Sequence, residues 1–246
     1  GGPERNLKLP SAAANIAQSG DIIEIDAGSY VGDVALWKTP RLIIRGVGGR
    51  AILEAGGKAY ANKAIWVIGA DDVFIENMGF KNCRVHDRNG AGIRMEGRNL
   101  KIRNCLFWAN ENGILGGSAE KDSSLTIRYS EFGFNGHGDG QSHGIYIGGI
   151  DRFVFEFNYV HHTRTGNQVK SRARFNKIAY NFITDGDNGN SSYAIDLEDG
   201  GKAQIIGNVI HKSKYADNSA MIHYGMPNSK SGENFYVINN TASTDR

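Results

Sequence analysis

The segments VFIENMGF (73–80), LKIRNCLF (100–107), LTIRYSEF (125–132), FVFEFNYV (153–160), NKIAYNFI (176–183), AQIIGNVI (203–210) and FYVINNTA (235–242) are one strand pattern written seven times, with starts 23 to 32 residues apart. Between them runs a second family: GIRMEG from Gly92, GILGGS from Gly113, GIYIGG from Gly144, QVKSR from Gln168, AIDLED from Ala194 and MIHYG from Met221. Both alternate apolar and polar residues, the period of a strand with one buried face. Each repeat therefore carries at least two short strands. A period in the twenties is too short for helical repeats or propeller blades, and the leucine and asparagine signature of leucine-rich repeats is absent. What fits is an all-β solenoid, a right-handed parallel β-helix of stacked coils with glycine-rich corners.

Working outward, Asn158, Asn181, Asn208 and Asn240 recur at one place in successive coils. Stacked asparagines can bond to one another and to the turn backbone, so a buried ladder is expected. At the N-terminal side, SAAANIAQSGD follows Pro10, with Ser11 as the expected N-cap of an amphipathic helix. That helix, within about residues 8–20, would cover the first coil. One domain is expected over residues 1–246, with coils over about 21–246. No cap is visible after the Phe235 strand, so the last coil is expected to meet another subunit, giving an oligomer, or a further stretch of chain.

Composition agrees. The chain has 246 residues, 33 glycines, 4 prolines and a formal charge of +2 with mixed signs. This is not the basic footprint of a nucleic-acid binder. No apolar run approaches the roughly 18 residues that span a membrane. Cys83 and Cys105 match no metal spacing and fall beside apolar strands, so buried thiols are expected. The chain opens on Gly1, which leaves room for a removed leader.

The opening SAAANIAQSGDIIEIDAGSY resembles the start of pectate-lyase-like β-helix proteins, and the later coils resemble β-helix proteins of the polysaccharide lyase and epimerase type. The resemblance covers nearly the whole chain at the level of fold, and implies an acidic polysaccharide as partner and a secreted or periplasmic location. The fold alone does not name an activity.

In a solenoid, chemistry lies on outward side chains stacked into a face. Aligning the second family puts Ile93, Ile145, Val169, Ile195 and Ile222 inward. Arg94, Tyr146, Lys170, Asp196 and His223 then point outward, followed two residues on by Glu96, Gly148, Arg172, Glu198 and Gly225. Such a convergence of titratable groups suits a catalytic or binding surface, and Gly116, Gly117, Gly148, Gly149 and Gly225 would leave a groove. The competing reading is a plain cross-strand ion ladder, Lys170 against Asp196 and Arg172 against Glu198.

Cleaving a uronate polymer by β-elimination needs three things: neutralisation of the carboxylate, a base for the C5 proton, and an acid for the leaving oxygen. Lys170, Arg172, Tyr146 and His143 are the catalytic candidates. Arg94, Arg174, Asp196, Glu198, His223, His137 and Asp139 are the substrate-binding candidates. QVKSRARFNKIAYN is similar to a stretch of the chondroitinase B and alginate lyase family, which places a catalytic Lys on one coil and a catalytic Arg on the next. Lys170 matches the Lys. The Arg position falls near Asp196 or Glu198, a departure, and TRTGNQ stands where that family has acidic calcium ligands. The Gly-His-Gly of GHGDGQSHG (136–144) resembles polygalacturonase-type hydrolases, whose other motifs are missing. DGDNGNSS (185–192) resembles part of a calcium loop but lacks its terminal Glu, and reads as a corner turn. No cofactor is required by any motif, and calcium stays open. His161, His162 and His211 are expected at surface or corner positions. Two other readings remain: a glycoside hydrolase using Asp196 and Glu198, or a non-catalytic glycan-binding surface protein.

Overall fold

The computed structural model describes residues 7–117, 122–225 and 234–245. They form a parallel β-solenoid of about seven turns with one short helix near the N-terminus. The tube has three walls. The first stacks Ala35–Trp37, Ala64–Ile68, Ala91–Met95, Asn112–Gly116, Ile145–Ile147, Val169–Ser171, Ile195–Leu197 and Ile222–Tyr224. The second runs from the start of Ile43–Glu54 through Phe74–Glu76, Leu100–Arg103, Ser124–Arg128, Arg152–Glu156, Phe175–Ala179 and Lys202–Ile206 to Phe235–Ile238. The third runs from the end of that long strand through Met78–Lys81, Leu106–Trp108, Glu131–Gly133, Tyr159–His161, Phe182–Thr184 and Val209–Lys212 to Thr241–Thr244.

Each segment of the first repeat family is therefore two strands, not one. The break is a left-handed residue at the same place in every coil: Asn77, Asn104, Tyr129, Phe157, Tyr180, Gly207 and Asn239, with φ between 50° and 64°. One residue later the chain turns inward to the expected ladder. Asn158 N–H donates to Asn181 Oδ1 (2.9 Å), Asn181 N–H to Asn208 Oδ1 (3.0 Å) and Asn208 N–H to Asn240 Oδ1 (2.8 Å). The ladder continues upward through Ser130 to the Cys105 amide. A second, shorter ladder of Asn110 and Asn135 stands at the next corner. These bonds satisfy corner amides that the strand ladders cannot reach.

Inside the tube, Trp37, Trp66, Phe80, Phe107, Phe132 and Phe155 form a continuous chain of edge-on, stacked and tilted ring contacts, with centroids 4.6 to 5.8 Å apart. Cys83 and Cys105 are buried free thiols, and loss of solvation pushes both up to about 12. The helix spans Pro10–Ile16 and buries Pro10 and Ala13 against the first coil. Ser11 is not its N-cap. Leu9 holds that position, Pro10 supplies the preset first turn, and Asp33 accepts the Ser11 N–H from 22 residues away. Among the described residues no helix is long and apolar enough to cross a membrane.

Candidate functional site on the first wall

Parallel register joins Val67 to Arg94, Arg94 to Leu115, Leu115 to Tyr146, Tyr146 to Lys170, Lys170 to Asp196 and Asp196 to His223. Their neighbours Ile93, Ile145, Val169 and Ile195 are fully buried in the tube. The period of two therefore turns the whole row outward, one side chain per coil, about 4.8 Å apart.

The C-terminal half of this row is tightly connected. Lys170 Nζ lies 3.1 Å from Glu198 Oε2, 3.7 Å from Asp196 Oδ2 and 5.0 Å from the centre of the Tyr146 ring. Arg172 grips Glu198 through Nε (2.8 Å) and a terminal nitrogen (2.7 Å). Asp196, only 3% exposed, accepts from Asn167 Nδ2 at 2.6 Å and from His223 Nδ1 at 2.8 Å. Tyr193 stacks on the His223 ring, with centroids 5.0 Å apart. Partial burial raises the Glu198 carboxyl, but hydrogen bonds from Arg172 and Lys170 outweigh it and hold it below the ordinary value.

His143 sits beside Tyr146, edge to face at 5.3 Å. Burial first, and the Lys170 charge second, push its imidazole down to about 4, so the ring is neutral near pH 7. Its Nδ1 accepts the Asn167 N–H at 3.0 Å, which leaves the proton on Nε2. His143 is therefore a hydrogen-bond donor at its outer nitrogen.

The other expected residues are placed differently. His137 faces Glu111 (3.4 Å) in the corner before this wall. Asp139 closes its own turn on the Gln141 N–H, near enough to His143 for its charge to be felt. Arg174 lies beyond the bend that ends the strand, where it pairs with Asp151 at 3.1 Å, away from Lys170 and Arg172. The alternation that sets Arg172 two residues after Lys170 lapses at that bend. Asp185, in the glycine-rich loop, is turned inward to Gln168, Ser191 and Lys212. His161, expected at a surface or corner position, ends its strand but is buried among Trp108, Phe134 and Tyr159 on the third wall and bonded to Glu131. Gly117 and Gly148 answer to backbone packing. A Cβ on Gly148 would stand 2.4 Å from Gly117 O, and one on Gly117 2.8 Å from the Ile150 side chain.

Two residues escape a reading of the alternation. Asn167 ties Asp196, His143 and the Tyr193 N–H together, and Tyr193 backs His223. Both lie two residues before the inward position of their strand, as His143 does. That shared offset is the signal in the sequence.

Among solved structures the chain is similar to a pectin methyl esterase of the rice weevil. Identity is 15%, coverage 94% of this chain and 84% of that one, and the TM-score 0.53, a likeness of fold. It also aligns with ORF18 of Geobacillus virus E2, at 12% identity over 95% of this chain and 56% of that one, with a TM-score of 0.39. No curated protein sequence matches it. Residues 58–183, half of the chain, match the family model described as the right handed beta helix region. With its parallel walls and stacked corners, the chain belongs to that right-handed β-helix family.

Proposed function

We propose that the first wall is the active surface of an enzyme that acts on an extracellular acidic polysaccharide by removing the C5 proton of a uronic acid. The observation that carries this reading is the pairing of Tyr146 and Lys170 on adjacent coils, bracketed by Arg172, Asp196 and Glu198. A plain ion ladder has no use for the tyrosine, the neutral His143 or the His223–Asp196 bond. The rice weevil neighbour, a pectin methyl esterase, associates the same fold with a sugar polymer.

The chemistry follows from the groups present. Arg172 takes the uronate carboxylate, displacing Glu198 from its guanidinium. Glu198 stays ionised beside Lys170, and Lys170, once its ammonium proton has passed to water, removes the C5 hydrogen as a neutral amine. The electron pair forms the C4–C5 double bond as the C4–O bond breaks, and the Tyr146 hydroxyl protonates the departing oxygen. Return of a proton to C5 from the opposite face, before elimination, gives the epimer instead. The His143 ring packs edge to face against Tyr146, and Asp196, held by Asn167 and His223, positions the Lys170 ammonium. A hydrolase using Asp196 and Glu198 is less well supported, because a general acid must keep its proton and Glu198 is held ionised. A substrate outside the cytoplasm keeps the expected secreted or periplasmic location.

Incubation with alginate, pectate, glucuronan and hyaluronan should raise ultraviolet absorbance as the unsaturated sugar forms, or change sugar stereochemistry without that rise. Binding of these polymers with neither change would overturn the enzymatic reading.

A further inference from the structure

Resting on that reading, we infer that Arg94 holds a second carboxylate of the same polymer, so that the substrate is a run of uronates and not a single acidic unit in a neutral chain. Arg94 belongs to the same outward row, three coils before Lys170, or about 14 Å at about 4.8 Å per coil. That distance exceeds the length of two pyranose rings, so one sugar cannot serve both residues.

Two independent observations point to a ligand at Arg94. The first is charge. The other cations around the row are matched: Lys63 with Glu96 at 2.5 Å, Arg98 with Asp71 at 2.6 Å, and Lys170 and Arg172 with Asp196 and Glu198. Among the described residues the Arg94 side chain has no ion pair or hydrogen bond, although the residue is half-buried. A guanidinium partly withdrawn from water without an anion is costly, and a bound carboxylate would relieve it. The second is its surroundings. Outside the tube lies a separate apolar cluster of Ala64, Val67 and Ala91, joined by Leu36, Tyr60 and Leu115, and register sets Arg94 between Val67 and Leu115. Ala64, Val67 and Ala91 are themselves covered, and only Leu36, Tyr60 and Leu115 reach solvent; a pyranose ring has an apolar C–H face and a polar rim, which suits those three side chains with one cation beside them.

The test uses linear uronate oligosaccharides graded from disaccharide to octasaccharide, with binding measured by calorimetry and turnover by absorbance. For the native chain, affinity should step up once the oligomer spans Lys170 to Arg94. Arg94→Ala should remove that step, with about a tenfold loss for long oligomers and none for short ones. Arg94→Lys should restore part of it. Carboxyl-reduced, neutral oligomers should show no step with either protein. A step of unchanged size in Arg94→Ala overturns the inference, whatever the turnover. An Arg94-dependent step without turnover upholds the subsite and sinks the lyase or epimerase reading.

Discussion

The first and second walls both carry charged side chains across neighbouring coils, but they use them differently. On the second wall Glu156 lies between Arg128, at 2.8 Å, and Lys177, at 2.7 Å, one residue from each of three successive coils. Burial raises its carboxyl, hydrogen bonds from Lys177 and Arg128 outweigh that, and the net value is lowered. The cluster is closed, since each charge is answered by the coil above or below. On the first wall the same ladder physics joins Lys170 and Arg172 to Asp196 and Glu198. There a tyrosine, a neutral histidine, a histidine–aspartate bond and a bridging asparagine are added. Register alone explains the ion pairs on both walls. Only the added groups distinguish the first wall from the second, and the proposed proton transfer rests on them.

The sharpest way to break this contrast is a pair of substitutions. Lys170→Ala should lower turnover of the responsive uronate polymer by about 10²–10⁴-fold. Glu156→Gln, on the opposite cluster, should leave turnover within about twofold. Full activity in Lys170→Ala, measured as initial rate with melting temperature checked in parallel, would reduce the first wall to a second ladder.

Acid should distinguish the walls next. His143 has a folded value of about 4 against 6.5 for a free imidazole. Between those values the unfolded chain binds a proton that the folded chain refuses. Stability from this group is therefore present above about pH 6.5 and is lost as pH falls toward 4. At 1.36 kcal/mol per pH unit the loss is at most about 3 kcal/mol. Glu156 is also lowered, but from a carboxylate value, so its contribution holds until the pH falls below about 4.5 and is then lost through the still lower folded value. Urea titrations from pH 7 to 4 should thus show a decline that His143→Gln flattens and Glu156→Gln does not. At neutral pH the order reverses. Glu156→Gln should cost about 1–2 kcal/mol, because its two partners are partly exposed.

Most of the fold was legible because a solenoid repeats its instructions. Alternation fixed which residues of the second strand family face outward, and the common offset of Asn158, Asn181, Asn208 and Asn240 marked a corner. The row from Arg94 to His223 was readable for the same reason. What escaped lies where alternation stops. Arg174 keeps the two-residue spacing from Arg172 but follows a bend. Asn167 and Tyr193 precede their strands and take their direction from the corner. His161 is buried by Trp108 and Phe134, which come from earlier coils, so nothing local marks it. The split of each long segment into two strands was hidden by residues that ordinarily avoid the left-handed region, Tyr129, Phe157 and Tyr180.

That last corner gives the smallest and most diagnostic effect. Tyr129, Phe157 and Tyr180 stack with centroids 5.2 and 5.3 Å apart along the edge of the second wall, and Arg103 lies over the outer face of Tyr129. Their faces are occupied by one another, so the stack offers solvent mainly ring edges and serves the backbone. A left-handed L-residue costs roughly 1–2 kcal/mol, and each aromatic contact returns about 0.5–1.5 kcal/mol. Phe157→Ala keeps the strain and loses both contacts, so it should destabilise by about 1–2 kcal/mol. Phe157→Gly loses the contacts and the strain together and should fall within about 1 kcal/mol of the native chain. The repeat already makes this exchange one coil below Tyr180. Gly207 takes the same left-handed turn at φ 64°, and a Cβ there would stand 2.7 Å from the Tyr180 ring. If chemical denaturation finds Ala and Gly equally destabilising at position 157, strain is not what the stack offsets, and the second wall holds its corner by other means.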